Sequence, residues 1–448
     1  MNARLALGAF SLAVLAVLAD VGTAAQAGIE KPEKFVLANG SDCLYHRDAV
    51  SPTTVVQVFV RGGRGAVPAG LDGLAYLATS LSLEIPDEGQ ARDLMAQATR
   101  MFLTVWEDCS IIHIECLSEN LEAALRAAAE IIQNPLLTGI RIDRTKRTML
   151  VRGRSEQDDA EAAASRAAWQ ALFGDRGYGT ATFGTEVSLR SIARKDVVDF
   201  RRRLFTLGNV FFSVGSDLDR EEIRTHLEKR FTELPAGGPA DVVAPRPSLP
   251  EDRDIVLSRE TKQTYLGRAF VLPAPDPTVY ARGLILETAV GRGPGSRLWS
   301  LRTTGKLAYN VNARTFWTRT SGVLEAYLET ESAKAGIASA ALDEALDALH
   351  GEGLSEEEFE AAKATAGSSF LRSVETKPSR TRAAGMFEVL GLGHDYLAAV
   401  FEAIESVTLA DMNEFIRETA APARALRVRV GPGPFPGPAA AGARDPAS

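Results

Sequence analysis

The chain has 448 residues, of which 45% are apolar and 24% charged, as in globular proteins of one to three domains. Its formal net charge of −8, with no block of basic residues, excludes the usual classes of nucleic-acid-binding protein. Three cysteines are too few to cross-link a chain of this length, so the hydrophobic core must hold the fold.

The first predicted element is a secretory signal over residues 1–27. A short basic start precedes an apolar run from Leu5 to Ala19, and the small-residue sequence AQA follows at 25–27. The alternative, an N-terminal membrane anchor, requires about 20 apolar residues, and this run is shorter. We therefore expect cleavage after Ala27, export to the periplasm and a mature chain that does not associate with a membrane.

Residues 73–84, GLAYLATSLSLE, follow a strand-like run and predict a helix with three polar side chains. Tyr76, Thr79 and Ser80 have the i, i+3, i+4 spacing that places side chains on one helical face. In zinc peptidases with an H-x-x-E-H motif, that spacing carries two histidines and a glutamate. Hydroxyl groups are poor zinc ligands compared with imidazole and carboxylate, so we expect no catalytic zinc at these positions.

The sequence offers no other residues that could replace the missing zinc ligands and catalytic base. His113 and Glu115 share one face of a predicted strand by the period of two, which is a weak metal pattern, and a half-buried strand face is the simpler interpretation. Ser80 or Ser82 as a nucleophile would need a base, and no G-x-S-x-G motif lies nearby. No two of the five histidines lie within one helical turn of each other: His46, His113, His226, His350 and His394.

The same order of elements occurs twice along the chain, which indicates a duplication. The strand CSIIHIECL and the helix SENLEAALRAAAEIIQNP, with Ser118 and Asn120 as cap candidates and Pro135 as the stop, match the strand GVLEAYLET and the helical residues after it. Further on, RSIARKDVVDFRRRLFTLGNVFFSVGS matches ESVTLADMNEFIRETAAPARALRVRVG. Asp196 and Asp411, 215 residues apart, fall at equivalent places.

This repeat predicts an α+β fold of two homologous α/β halves, each a largely antiparallel sheet with helices packed on one face. The Pro-, Gly- and Ala-rich residues 236–252 predict a linker between a first domain, 28–235, and a second domain, 253–430. Residues 431–448 are similarly rich in Pro, Gly and Ala and predict a disordered tail.

These features resemble the pitrilysin/insulinase family of zinc peptidases over about residues 30–430. Residues 55–81, VVQVFVRGGRGAVPAGLDGLAYLATSL, have the family's strand, Gly-rich turn and G-L-A entry to the H-x-x-E-H helix. Tyr76, Thr79 and Ser80 stand where the family has His, Glu and His. The family's third zinc ligand, a glutamate, falls near MLVRGRSEQDD, where an ungapped placement puts Arg152, although Glu156 is close.

The resemblance also implies a substrate-binding pair in the second half. Arg302 and Tyr309 match the family pattern L-R-x-x-x-x-L-x-Y. The family uses this pair opposite the zinc helix, where the side chains bind substrate carbonyls and stabilise the oxyanion. Arg offers several N–H donors in a fixed fork, and a Tyr hydroxyl can donate to a developing oxyanion. Without the resemblance, they would be interpreted as a solvated arginine and a strand tyrosine.

An extended peptide substrate is expected to add to the edge of a sheet. The strand YLETE, 327–331, is one candidate edge. The edge near CSIIHIECL is the better candidate, because the family's substrates add to the first half.

In mitochondrial processing peptidase and in two-subunit bacterial members of the family, one chain bears H-x-x-E-H and the other bears the Arg/Tyr pair. This chain has the second signature without the first. The resemblance therefore implies a non-catalytic subunit of a periplasmic heteromeric zinc metallopeptidase that cleaves peptides or unfolded proteins. Its partner would be a homologous exported chain with an intact H-x-x-E-H and the zinc.

The alternative function is that of a structural or peptide-binding pseudoenzyme without a proteolytic role, like the core proteins of respiratory complexes. A neighbouring gene for an exported homologue with an intact H-x-x-E-H would favour the subunit over this alternative.

Overall fold

The computed structural model describes residues 31–242, 244–249 and 251–433. The predicted signal sequence, 1–27, and residues 434–448 of the predicted tail lie outside the described residues. The exact domain limits stay predictions.

The first half contains a six-stranded sheet with the order β1-β2-β6-β3-β5-β4. All neighbouring strands are antiparallel except β2 and β6. The strands are β1 (Glu33–Val36), β2 (Asp42–Arg47), β3 (Thr53–Arg61), β4 (Arg100–Val105), β5 (Cys109–Leu117) and β6 (Val210–Ser216).

The second half contains a five-stranded sheet with the order β7-β11-β8-β10-β9. Again one pair, β7 and β11, is parallel and the others are antiparallel. The strands are β7 (Arg253–Ser258), β8 (Gln263–Leu272), β9 (Asn310–Trp317), β10 (Gly322–Glu331) and β11 (Leu426–Gly431).

The helices of the first half are α1 (Leu74–Ser80), α2 (Glu88–Ala96), α3 (Leu121–Gln133), α4 (Gly139–Asp158), α5 (Ala160–Phe173), α6 (Glu186–Ser191), α7 (Arg194–Leu204) and α8 (Arg220–Arg230). Those of the second half are α9 (Pro277–Gly291), α10 (Trp299–Thr303), α11 (Ala335–Glu352), α12 (Glu356–Ser373), α13 (Lys377–Leu390), α14 (Tyr396–Ser406) and α15 (Leu409–Thr419). In the described part of the chain, no helix combines the length and apolar character that a membrane span requires.

The two halves repeat one topology, and this confirms the predicted fold class. Strands β2-β6-β3-β5-β4 and β7-β11-β8-β10-β9 follow the same order, each with its parallel pair at the same place. Asp196 and Asp411 are equivalent, as predicted. Each lies in the first turn of the helix before the parallel strand and accepts a hydrogen bond from a backbone N–H three residues earlier, at 2.7 and 3.0 Å.

Each sheet packs its own helices on one face, and one helix of the other half covers much of the second face. Helix α13 lies on the first sheet, where Ala384 packs with Phe59 of β3. Helix α5 lies on the second sheet, where Trp169 belongs to one core cluster with Tyr327. The central strand β3 is therefore buried on both faces, which accounts for its almost continuous apolar sequence.

One group of polar contacts between the halves lies at two turns. The guanidinium of Arg319, between β9 and β10, donates to the Asp108 carboxylate between β4 and β5, at 2.9 Å. The Asp108 carboxylate also accepts from the hydroxyl of Tyr178. Burial raises the pKa of Asp108, and the hydrogen bonds from Tyr178 and Arg319 oppose that effect.

The predicted caps of α3 are wrong, although its predicted end is confirmed. Asn120 precedes the helix without a side-chain cap, because its amide donates to the Gln97 carbonyl. Ser118 lies in a short 3₁₀ turn, where its hydroxyl bonds to Thr54 and Asp217 instead. The helix ends at Gln133, two residues before Pro135.

Candidate functional site

Helix α1 carries Tyr76, Thr79 and Ser80, which stand at the positions of the H-x-x-E-H motif. The turn that leads into this helix requires glycine. Gly73 has φ +90°, and a Cβ atom there would lie 2.9 Å from the backbone of Gly184. Tyr76 and Ser80 line a cleft of about 430 Å³. Thr79 does not: it is fully buried, and its hydroxyl donates to the Ala75 carbonyl of its own helix at 2.8 Å. The prediction of three polar side chains facing one site is therefore wrong for Thr79.

Arg152 of α4 lies against Tyr76, in agreement with the ungapped placement. Its Nη1 donates to the Tyr76 hydroxyl, and its guanidinium carbon lies 5.7 Å from the centre of the Tyr76 ring. Phe183 packs edge-on against that ring at 4.9 Å between centroids. Glu156, one turn further along α4, does not line the cleft, and burial raises its pKa. A cation thus lies where the family would place a zinc-binding carboxylate.

The rest of the cleft does not compensate for this positive charge. Glu84 lies on its wall but is paired with two arginines, Arg141 at 3.4 Å and Arg144. No group of three or more His, Cys, Asp or Glu side chains with metal-binding geometry exists within residues 31–433 as described. Phenol, hydroxyl and guanidinium groups are not the ligands that zinc prefers, so the residues present do not fit a zinc ion.

Strand β4 forms one wall of the cleft through Met101, Phe102 and Leu103, and it is the edge of the first sheet. YLETE does not present an edge, because it belongs to β10, which pairs with β8 and β9. CSIIHIECL is β5, which pairs with β3 and β4, so the sheet edge near it is β4. That edge borders the cleft lined by Tyr76 and Ser80.

His113 and Glu115 serve the sheet rather than a site. The His113 ring stacks on Phe102 at 4.3 Å between centroids, and its Nε2 lies 2.9 Å from the Thr104 hydroxyl. Burial, with nearby Arg382 and Arg100, lowers the pKa of His113 to about 4. These contacts agree with the strand-face interpretation.

Ser82 has no base to activate it. Its hydroxyl donates to the Ala78 carbonyl at 2.9 Å and accepts from the Arg201 guanidinium. Ser80 lines the cleft with Tyr76, Arg152 and Glu84, and the Glu84 carboxylate is already paired with two arginines. Nucleophilic serine chemistry therefore has no support at this helix.

Arg302 and Tyr309 lie at the surface of the second half. Arg302 is exposed on α10, with its guanidinium carbon 4.9 Å from the Trp299 ring centre. Tyr309 is 52% exposed just before β9, where its N–H donates to the Glu329 carbonyl at 2.8 Å. Its hydroxyl donates to the Glu331 carboxylate at 2.5 Å, which raises the pKa of Tyr309 and lowers that of Glu331.

The structure thus leaves both side chains accessible, and the hydroxyl of Tyr309 remains a proton donor at neutral pH. Sequence reasoning missed Glu331, because its contact depends on the register of β9 against β10, which the sequence does not specify. No hydrogen bond or ion pair joins Arg302 to Tyr309 among the described residues.

Comparisons with known proteins agree with the resemblance. Residues 191–366 match the family model of the peptidase M16 inactive domain. The non-peptidase homolog YmxG of Helicobacter pylori is 24% identical over 382 residues, which are 84% of this chain and 88% of that protein. These matches confirm the predicted relation to the pitrilysin/insulinase, or M16, type and support its non-catalytic character.

Solved structures share the fold. A peptidase M16 inactive domain from Pseudomonas fluorescens superposes with a TM-score of 0.82 at 20% identity, covering 91% of this chain and 100% of that one. A chain of complex III2 from Candida albicans, with Inz-5 bound, has a TM-score of 0.77 at 14% identity and covers 89% and 95%. At these identities the likeness extends to the fold alone.

Proposed function

We propose that this chain, a non-catalytic protein of the M16 type, is a subunit of a periplasmic heteromeric zinc peptidase and contributes Arg302 and Tyr309 to its partner's active site. The observation that carries the proposal is the contrast between the two halves. In the first half, Arg152 donates to Tyr76, and both stand at positions where the resemblance implies zinc ligands. In the second half, the Arg/Tyr pair is exposed and its hydroxyl is protonated.

The partner would be a homologous exported chain with an intact H-x-x-E-H motif, and zinc would bind there. Arg302 has the fixed fork of donors that binds peptide carbonyls, and Tyr309 can donate to a developing oxyanion once its hydroxyl leaves Glu331. Export through the signal sequence at residues 1–27 would place both chains in the periplasm.

The experiment begins with the tagged chain in its native host. It is purified from the periplasm, the co-purifying chain is identified by mass spectrometry, and zinc is measured in each separated chain. We expect a homologue with H-x-x-E-H that holds about one zinc ion, as a catalytic site of this kind requires. A purified complex whose other chains all lack the motif would contradict the proposal.

Kinetics of the reconstituted complex then test the two residues. Removing one oxyanion donor costs about 100-fold or more in rate, so Tyr309→Phe should lower kcat while the complex stays assembled. Arg302→Ala should lower kcat and also raise KM, because the arginine would contact the substrate before the transition state. Arg417→Ala, at an exposed arginine of α15, is the matched control and should leave both constants unchanged.

A specific observation favours a second candidate function. The complex III2 chain with the same fold belongs to an assembly, and our chain has no fitting zinc site among its described residues. A structural or peptide-binding pseudoenzyme would assemble with partners into a complex that either has no peptidase activity or keeps wild-type kinetics in both variants. That result would replace the first proposal.

A further inference from the structure

A cavity of about 230 Å³ lies where the β4–β5 turn of the first half meets the second half. Helices α9, α12, α13 and α14 and strand β9 form its other walls. Seven of its 15 lining residues are aromatic, and Trp106, Tyr280, Trp317, Phe370, Phe387 and Tyr396 are among them. A cavity of about 150 Å³ is already large enough to bind benzene, so this one can hold a single aromatic ring with a short substituent.

Three polar atoms of the residues in these walls are buried and have no partner in the described part of the protein, and one of them is the Thr315 hydroxyl. The other two are the indole Nε1 of Trp106 and the hydroxyl of Tyr396. A buried polar group without a hydrogen bond is costly, so these two atoms favour an occupant that carries a hydrogen-bonding group. Since the indole N–H can only donate, that group must include an acceptor.

The mouth of the cavity carries a positive charge. Arg382 of α13 lines the cavity and is exposed, and its guanidinium makes no ion pair with a carboxylate of residues 31–433 as described. The one acidic residue in the lining, Glu107, is already paired with Arg64. A ligand that reaches from the aromatic interior to the mouth would therefore meet an unpaired arginine.

We propose that this cavity binds a small phenolic carboxylate. Its ring would pack between the aromatic walls, and its hydroxyl would bond with Trp106 and Tyr396. Its carboxylate would pair with Arg382. Each group of the ligand would thus contact a different part of the cavity. The site involves neither the Tyr76–Arg152 cleft nor the Arg302–Tyr309 pair.

The test is calorimetric titration of the mature chain with 3-(4-hydroxyphenyl)propionate. Two probes that each lack one group are the ligand controls: 3-phenylpropionate lacks the hydroxyl and 4-ethylphenol lacks the carboxylate. We expect saturable binding of the first with a Kd below about 1 mM and weaker binding of the other two. Absence of saturable binding would mean that the cavity holds only solvent, and would overturn the proposal.

Variants locate the site. Arg382→Gln should weaken binding of the phenolic carboxylate by about tenfold or more, the usual effect of losing a bond to a charged group, and leave 4-ethylphenol unchanged. Tyr396→Phe should weaken it by a few-fold and leave 3-phenylpropionate unchanged, and Ala383→Leu should fill the cavity and abolish binding of all three.

Arg417→Gln, at an exposed arginine on α15, is the matched control for Arg382 and should bind like the wild type. Comparing probes on one variant separates a lost contact from a damaged fold. If Arg382→Gln weakened all three probes equally, or none of them, the assignment of the carboxylate would be wrong.

Discussion

Replacing the two hydroxyl residues of the cleft by histidine should not create a zinc site while Arg152 remains. The family's zinc ligands are two histidines of α1 and the distal glutamate, and Thr79 stands at the position of the base rather than of a ligand. Tyr76→His with Ser80→His therefore supplies two ligands without disturbing the buried Thr79. Arg152, which now donates to Tyr76, would remain beside the metal position.

The electrostatic cost can be estimated from this geometry. Two unit charges about 4 Å apart interact by about 4 kcal/mol at an effective dielectric constant of about 20, so a dication at that distance from Arg152 would be repelled by about 8 kcal/mol. Since about 1.4 kcal/mol corresponds to a tenfold change, the arginine should weaken zinc binding by roughly 10⁵- to 10⁶-fold. Adding Arg152→Ala should remove the repulsion, and Arg152→Glu should add the third ligand as well.

The assay is zinc titration against a chelator of known affinity, with circular dichroism to confirm that each variant is folded. We expect the two-histidine chain to bind no zinc at micromolar concentration, its Arg152→Ala form to bind measurably, and its Arg152→Glu form to bind most tightly. Arg144→Ala in the two-histidine chain is the matched control and should have little effect, because Glu84 already neutralises Arg144. Equal zinc affinity with Arg152 and with Glu at position 152 would refute the reasoning.

Three further predictions concern stability and can be measured by thermal or urea unfolding. Gly385→Ala should destabilise the chain by about 1–3 kcal/mol, because a Cβ there would overlap a phenyl ring of the first sheet. Gly367→Ala, in a helix with only ordinary contacts, should be neutral or stabilising, and equal effects would contradict the packing of α13. Arg319→Ala should cost about 2–4 kcal/mol by leaving the buried Asp108 carboxylate with one partner fewer, and Asp108→Asn with Arg319→Ala should cost less than the sum of the single effects. Stability should fall as the pH drops from about 6.5 to about 4, because the pKa of His113 is lowered to about 4 and the unfolded chain takes up the proton first; His113→Gln should reduce this slope.

The fold was predictable because its signals are local and occur twice. Asp196 and Asp411 each cap the helix in which they lie, so their equivalence is visible in the sequence alone. The cap candidates of α3 failed for the opposite reason, since Ser118 bonds to Thr54 and Asp217, which are distant in the chain. The strand YLETE was misassigned as an edge because strand order is set by tertiary pairing, which the sequence of β10 does not specify.

The candidate site was only partly predictable. The spacing of Tyr76, Thr79 and Ser80 indicates one helical face, but Thr79 turns its hydroxyl to the Ala75 carbonyl, a local bond that competes with any outward role. Arg152 was found because the ungapped distance along the chain is kept. The crossing of α5 and α13 between the halves leaves no local pattern, so the cavity beside the β4–β5 turn was not foreseen.

The cleft explains how this chain can keep the fold without a metal. A site that merely lost its ligands would leave polar groups facing one another without partners, at a cost in stability. Here the Tyr76 hydroxyl accepts from Arg152, whose guanidinium carbon also lies 6.0 Å from the Phe183 ring centre, so the position is filled by a hydrogen bond and by aromatic contacts. Arg152 therefore stabilises the cleft in the absence of zinc, and its positive charge also repels zinc. In the complex that we propose, the metal would be held by the other chain, and the exposed Arg302 and Tyr309 are the side chains that this chain would contribute.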